Sequence, residues 1–166
     1  MLKPKTIIKV LLTGILAVIL SGEVWAQIEP SGISWISLEE ALDTKKEDPK
    51  KVMLFMEADW CSLCKKMKKE VFPDPEVWPL LNNNFHSVRI DIESEEMVTF
   101  KGKKWTKKEL SQEFGLYATP TFIFMDTDQS IIGNKAGYMN KQDFKGLLNF
   151  VAKEEYKEEG FKDLKR

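Results

Sequence analysis

Trp60-Cys61-Ser62-Leu63-Cys64-Lys65 holds both cysteines of this 166-residue chain. Two thiols at C-x-x-C spacing can close a small disulfide ring and reopen it. An apolar run, Val52-Met53-Leu54-Phe55-Met56, precedes them and a helix-like stretch follows. In the first turn of a helix a sulfur sits at the positive end of the backbone dipole, which stabilises a thiolate. A strand that feeds C-x-x-C into a helix is the pattern of a dithiol redox site. A closed zinc site would need four ligands, and beyond the cysteine pair the chain has one histidine, His86. His86 therefore reads as a strand or surface residue. An inert structural bridge is the plainer alternative, but disulfides that staple folds usually close longer loops.

The surrounding pattern predicts the elements that hold the motif. Ser37 opens a helix, Glu40 completes a capping box, and Leu38, Ala41 and Leu42 form its apolar stripe. Asp48-Pro49 ends it. Lys51 to Glu57 reads as a central strand covered on both faces. A helix from Cys61 to about Glu70 is broken by Val71-Phe72-Pro73. Asp74 caps a short helix with Pro75 at its first position and Val77, Leu80 and Leu81 turned inward. Phe85 to Ile92 alternates as a strand. Residues 93–105 read as a polar loop holding Phe100 and Trp105, and Thr106 with Glu109 caps a helix ending at Gly115.

Thr121 to Met125 is a second buried strand and Asp126 to Gln129 a turn. Ser130 to Tyr138 returns antiparallel, with Gly133 and Gly137 as candidate bulges. Asn140 caps a last helix with Phe144, Leu147, Leu148 and Val151 on one face. The order α-β-α-α-β-α-β-β-α predicts an α/β fold of three layers, a central mixed sheet flanked by helices.

The first 26 residues read as a cleavable signal peptide. Lys3, Lys5 and Lys9 make a basic start, Val10 to Leu20 is an apolar run too short for a comfortable membrane span, and Val24-Trp25-Ala26 ends in a small residue. Cleavage is expected after Ala26, leaving Gln27 first; an uncleaved anchor is the alternative. No cysteine follows the run, so a lipid-modified start is not expected. Residues 27–34 read as a linker, 35–155 as one domain and 156–166 as a charged tail.

Removing residues 1–26 takes three of 25 basic and one of 26 acidic side chains, for a net charge of about −3. That balance argues against nucleic acid as a partner. About 140 residues remain, enough for one domain with its own core. Export to the periplasm or the exterior puts the cysteines where disulfides persist. Other exported proteins are then the expected partners of a monomer.

Ala58-Asp59-Trp60-Cys61-Ser62-Leu63-Cys64-Lys65 and, downstream, Tyr117-Ala118-Thr119-Pro120-Thr121 together resemble the two signatures of the thioredoxin superfamily. The resemblance covers roughly residues 35–152. Val71-Phe72-Pro73-Asp74-Pro75-Glu76-Val77 is similar to the periplasmic thioredoxin-like group that includes the DsbD C-terminal domain and the thioredoxins of bacterial sulfur oxidation. The long segment before Gly115 and the Gly137-Tyr138 ending look most like the sulfur-oxidation thioredoxins.

The resemblance implies that Cys61 is the exposed nucleophile and Cys64 the buried resolving cysteine. It further implies that Trp60 shields the site, that Pro120 is a cis-proline beside the disulfide, and that the backbone of Thr119 pairs with a bound substrate strand. The chain also departs from its relatives. Where many carry a buried acid it has Phe55, and where the DsbD-like domain has a glutamate it has Lys68. Glu57 shares a strand face with Phe55 and could accept the Cys64 proton; a solvated strand-end glutamate is the plainer reading. Lys65, Lys66, Lys68 and Lys69 could favour a Cys61 thiolate or simply form a solvated face.

Oxidising members of the superfamily typically carry a histidine between the cysteines, and Ser62-Leu63 supplies no such charge. The chain therefore reads as an exported thiol-disulfide oxidoreductase working as a reductant. A membrane thiol donor is expected to supply its electrons, because no Gly-rich nucleotide fingerprint is present and no cofactor is expected. The alternatives are an oxidase or isomerase, or a Cu(I) carrier using the same two thiolates. The seven methionines are scattered and add nothing to the carrier reading.

Overall fold

The computed structural model describes residues 32–43, 48–116 and 118–161. The signal-peptide reading, most of the 27–34 linker, Tyr117 and the last five residues lie outside them. Five strands form one sheet in the order β1-β3-β2-β6-β7. These are β1 (Trp35–Ile36), β2 (Lys51–Glu57), β3 (Phe85–Asp91), β6 (Thr121–Met125) and β7 (Ile131–Ala136). β2 lies at the centre, parallel to β3 and antiparallel to β6. Its five inner residues are buried, as a strand covered on both faces requires.

The two-residue period of β2 divides the core. Met53 and Phe55 face a cluster that takes in Cys61, Cys64, Phe72, Phe122 and Phe144. That face carries three helices. The first is α2 (Ser62–Lys66), which continues as a π-helix over Met67–Val71. The others are α3 (Trp78–Asn84) and α5 (Lys141–Ala152). Val52, Leu54 and Met56 face the other cluster, beneath α1 (Leu38–Asp43) and α4 (Lys107–Glu113). The molecule is thus a mixed five-stranded sheet between two layers of helices.

Several caps follow the sequence. Ser37 Oγ accepts the Glu40 N–H (3.1 Å), and Thr106 and Glu109 form a reciprocal capping box. Asn140 accepts the Asp143 N–H (3.0 Å). Asp74 accepts the Glu76 N–H (2.9 Å), but the helix itself starts later, at Trp78, with Pro79 in its first turn.

Four features differ from expectation. First, β1 adds a two-residue edge strand, too short to show any period. Second, residues 93–105 are not a loop throughout: β4 (Met97–Phe100) and β5 (Lys103–Thr106) pair as a hairpin. Its two turn residues, Lys101 and Gly102, have φ of 50° and 75°, as a tight primed turn needs. Val98 and Phe100 use it to cover the α1 side of the core.

Third, the helix after Cys64 widens into a π-turn, with Phe72 N–H bonded to Met67 O (3.0 Å). Fourth, the segment past 155 is more than a charged tail. It holds a short helix, α6 (Tyr156–Glu159), and Tyr156 and Phe161 pack on the core. The Phe161 ring lies against Gly133, where a Cβ would stand 2.2 Å from it, so that glycine marks close packing. The register shift between β6 and β7 lies beside it: Phe124 pairs with Gly133 and Met125 with Ile131, which leaves Ile132 as the extra residue next to the expected bulge.

Candidate active site: the Cys61–Cys64 disulfide

The chain leaves the sheet at the end of β2, turns through Ala58-Asp59-Trp60 and enters α2. A Cys61 N–H bond to Ala58 O (3.0 Å) closes the turn. Cys61 is the N-cap: its carbonyl accepts from Lys65 N–H (3.1 Å) and its Sγ accepts from Cys64 N–H (3.0 Å). The two sulfurs are bonded to each other. Once the bond is reduced, the same N–H and the helix dipole favour negative charge on Cys61 Sγ. Cys64 is wholly buried, and its thiol would have no water to take its proton.

Cys61 departs from the expectation of an exposed sulfur: it is only 4% exposed. Capping the helix folds its Sγ inward over the first turn. Trp60 is 64% exposed and Leu63 44%, so two large apolar side chains that flank Cys61 in the sequence stand in water.

Strand register brings the second motif to the same place. Met56 pairs with Thr121, the last rung of the β2–β6 ladder, so Pro120 lies level with Glu57, at the end of β2 where the Cys61 turn begins. Pro120 is buried and follows a cis peptide bond from Thr119. Its carbonyl accepts from Gly137 N–H (2.8 Å), and Thr121 Oγ1 donates to Ala118 O (2.7 Å). Both bonds fix the loop from its two sides. Gly137 adopts a φ of 95° there, a conformation open to a glycine.

The two missing carboxylates have physical counterparts. Phe55 is fully buried among aromatic rings, with centroids 5.0 Å from Phe72, 5.3 Å from Phe122 and 6.2 Å from Trp35. An ionised group in that box would be stripped of water without a partner. Two residues on, Glu57 points to the same face of the sheet, and its side chain is only 12% exposed. Lys68 Nζ, from the π-turn, donates to Glu57 Oε2 (2.5 Å). The structure therefore joins Glu57 to Lys68, a pairing 11 residues apart that sequence spacing did not signal. Lys65, Lys66 and Lys69 are exposed on the same helix. His86 is a nearly buried β3 residue, its Nε2 2.9 Å from the Asp48 carbonyl oxygen.

A C-x-x-C at the N-terminus of a helix, a buried proline across the sheet from it and this sheet order meet in one known architecture. The thioredoxin-like domain family matches residues 38–152. The chain belongs to that family. Among its thioredoxin-like relatives is the disulfide bond reductase DsbH of Chlamydia pneumoniae, 26% identical over 73% of this chain and 79% of its own length.

The thiol:disulfide interchange protein DsbD of Pectobacterium atrosepticum is 29% identical over 74% of this chain. The match spans only 21% of that longer protein. The oxidised C-terminal domain of Neisseria meningitidis DsbD has a similar structure, with a TM-score of 0.50 and 27% identity over 66% of this chain and 88% of that domain. With a disulfide at the motif, this thioredoxin-like protein is a thiol-disulfide oxidoreductase.

Proposed function

We propose that the protein is an exported reductant of disulfides in other exported proteins, re-reduced by a membrane dithiol donor. The observation that carries the reading is the C-x-x-C at the N-terminus of α2, with only neutral Ser62 and Leu63 between the sulfurs. The helix end favours a Cys61 thiolate, and no charged side chain inside the ring overstabilises the reduced form. The name of the chlamydial relative, a disulfide bond reductase, supports the same direction. Export rests on the basic, apolar and small-residue pattern of residues 1–26.

In the forward reaction the Cys61 thiolate attacks one sulfur of the substrate disulfide. The substrate S–S bond breaks, one substrate sulfur leaves as thiolate, and a mixed disulfide forms on Cys61. Cys64 then loses its proton and attacks Cys61 Sγ; the mixed bond breaks and the second substrate thiolate leaves. Two electrons pass from the protein to the substrate; the Cys64 proton goes to a base and the two substrate thiolates take their protons from solvent. Thr119, two residues before β6 begins, offers its backbone to an extended substrate segment. We assign Glu57, paired with Lys68 on the Cys64 face of the sheet, the role of accepting the Cys64 proton.

Reduction of insulin disulfides tests the reading. Cys61→Ser is expected to abolish it, and activity retained in that variant would reject the mechanism. Cys64→Ala is expected to hold substrates as mixed disulfides on Cys61, from which they can be identified.

A further inference from the structure

We propose that the exposed face around the disulfide is a docking surface for protein disulfides flanked by acidic residues. The inference rests on the reductant reading above and adds a substrate class to it. Trp60 and Leu63 offer apolar contact beside the Cys61 opening, and the helix just behind them is basic. Residues 58–72 carry four lysines and two carboxylates, in a chain whose net charge is −1.

The lysines are not equivalent. Lys68 is taken by Glu57, and Lys66 shares Glu70 at 3.9 Å while lying over the Tyr138 ring at 4.5 Å. Lys65 and Lys69 are exposed and have no carboxylate partner among the described residues. Lys65 N–H is bonded to Cys61 O, which places that lysine one turn from the reacting sulfur. On α5, Lys141 is matched with Asp74 and Lys145 with Glu76. Asp59, on the turn before Trp60, is the opposing charge of the motif. Unmatched cations beside an apolar opening attract a partner of opposite charge and set its orientation as it docks.

The test uses the full chain, reduced, and two peptide disulfides identical except for flanking Glu or flanking Lys. The second-order rate of reduction is followed by stopped-flow tryptophan fluorescence. At low ionic strength the Glu peptide is expected to react about tenfold faster, the ratio falling towards one in high salt. Both peptides meet the same Cys61 sulfur, so the ratio cancels any effect of the lysines on the thiolate. In the double variant Lys65→Glu, Lys69→Glu the preference is expected to invert. Equal rates at low salt, or a preference that survives charge reversal, would overturn the docking surface while leaving the reductant reading intact. Reduction of neither peptide would remove the reductant reading and the docking surface with it.

Discussion

Glu57 and Lys68 form an ion pair at the end of β2, two residues beyond Phe55 and on the face of the sheet against which Cys64 packs. If Glu57 takes the Cys64 proton, Glu57→Gln should slow resolution of a preformed Cys61 mixed disulfide by about tenfold or more, with an altered pH profile. The variant keeps the size of the side chain, so Cys61 attack on the substrate is the internal control. An unchanged rate and profile would leave the pair as a structural contact. The face of Glu57 was legible from the two-residue period of its strand. Its partner was not, because the π-turn that presents Lys68 is set by tertiary packing. The burial of Cys61 was hidden for a similar reason: N-cap geometry, not residue type, turns its sulfur inward.

At the scale of elements, the long periodic segments were legible and the short ones were not. β2, β6 and α5 have enough apolar residues to declare their period. β1 has two residues, and the strands of the β4–β5 hairpin have only four each, two of those in β5 being lysines; the Lys101-Gly102 turn was its one local signal. The C-terminal segment was masked by its charge, although Tyr156 and Phe161 anchor it. There Glu154 accepts from Lys157 (2.5 Å) and Lys51 (2.7 Å), tying α6 to the start of β2. The hydrogen bond from Lys157, followed by that from Lys51, draws the Glu154 carboxyl down to about 2 from an ordinary 4.5.

A depressed folded-state value means that the folded protein binds fewer protons here than the unfolded chain. The contribution is therefore full above pH ~4.5 and is lost as pH falls through ~2. Urea midpoints of wild type and Glu154→Gln should differ near neutral pH and converge across that window. A difference that persists at pH 2 would contradict this account of the ion pair.

For the whole molecule, the fold class and the meeting of the two motifs were readable because each motif abuts a long buried strand. Strand order then follows, and the β2–β6 register brings Pro120 level with the end of β2. The direction of electron flow depends on the balance between reduced and oxidised forms of the entire domain. Neutral Ser62 and Leu63 between the cysteines imply a potential near that of thioredoxin, about −270 mV, and far below the strong oxidant DsbA at about −120 mV. Leu63→His should raise it by placing a cation beside the Cys61 thiolate. Equilibration of the wild-type protein with glutathione buffers measures the potential directly. A value close to about −270 mV is the result expected of a reductant, and one above about −180 mV, the range of protein disulfide isomerase, would contradict it.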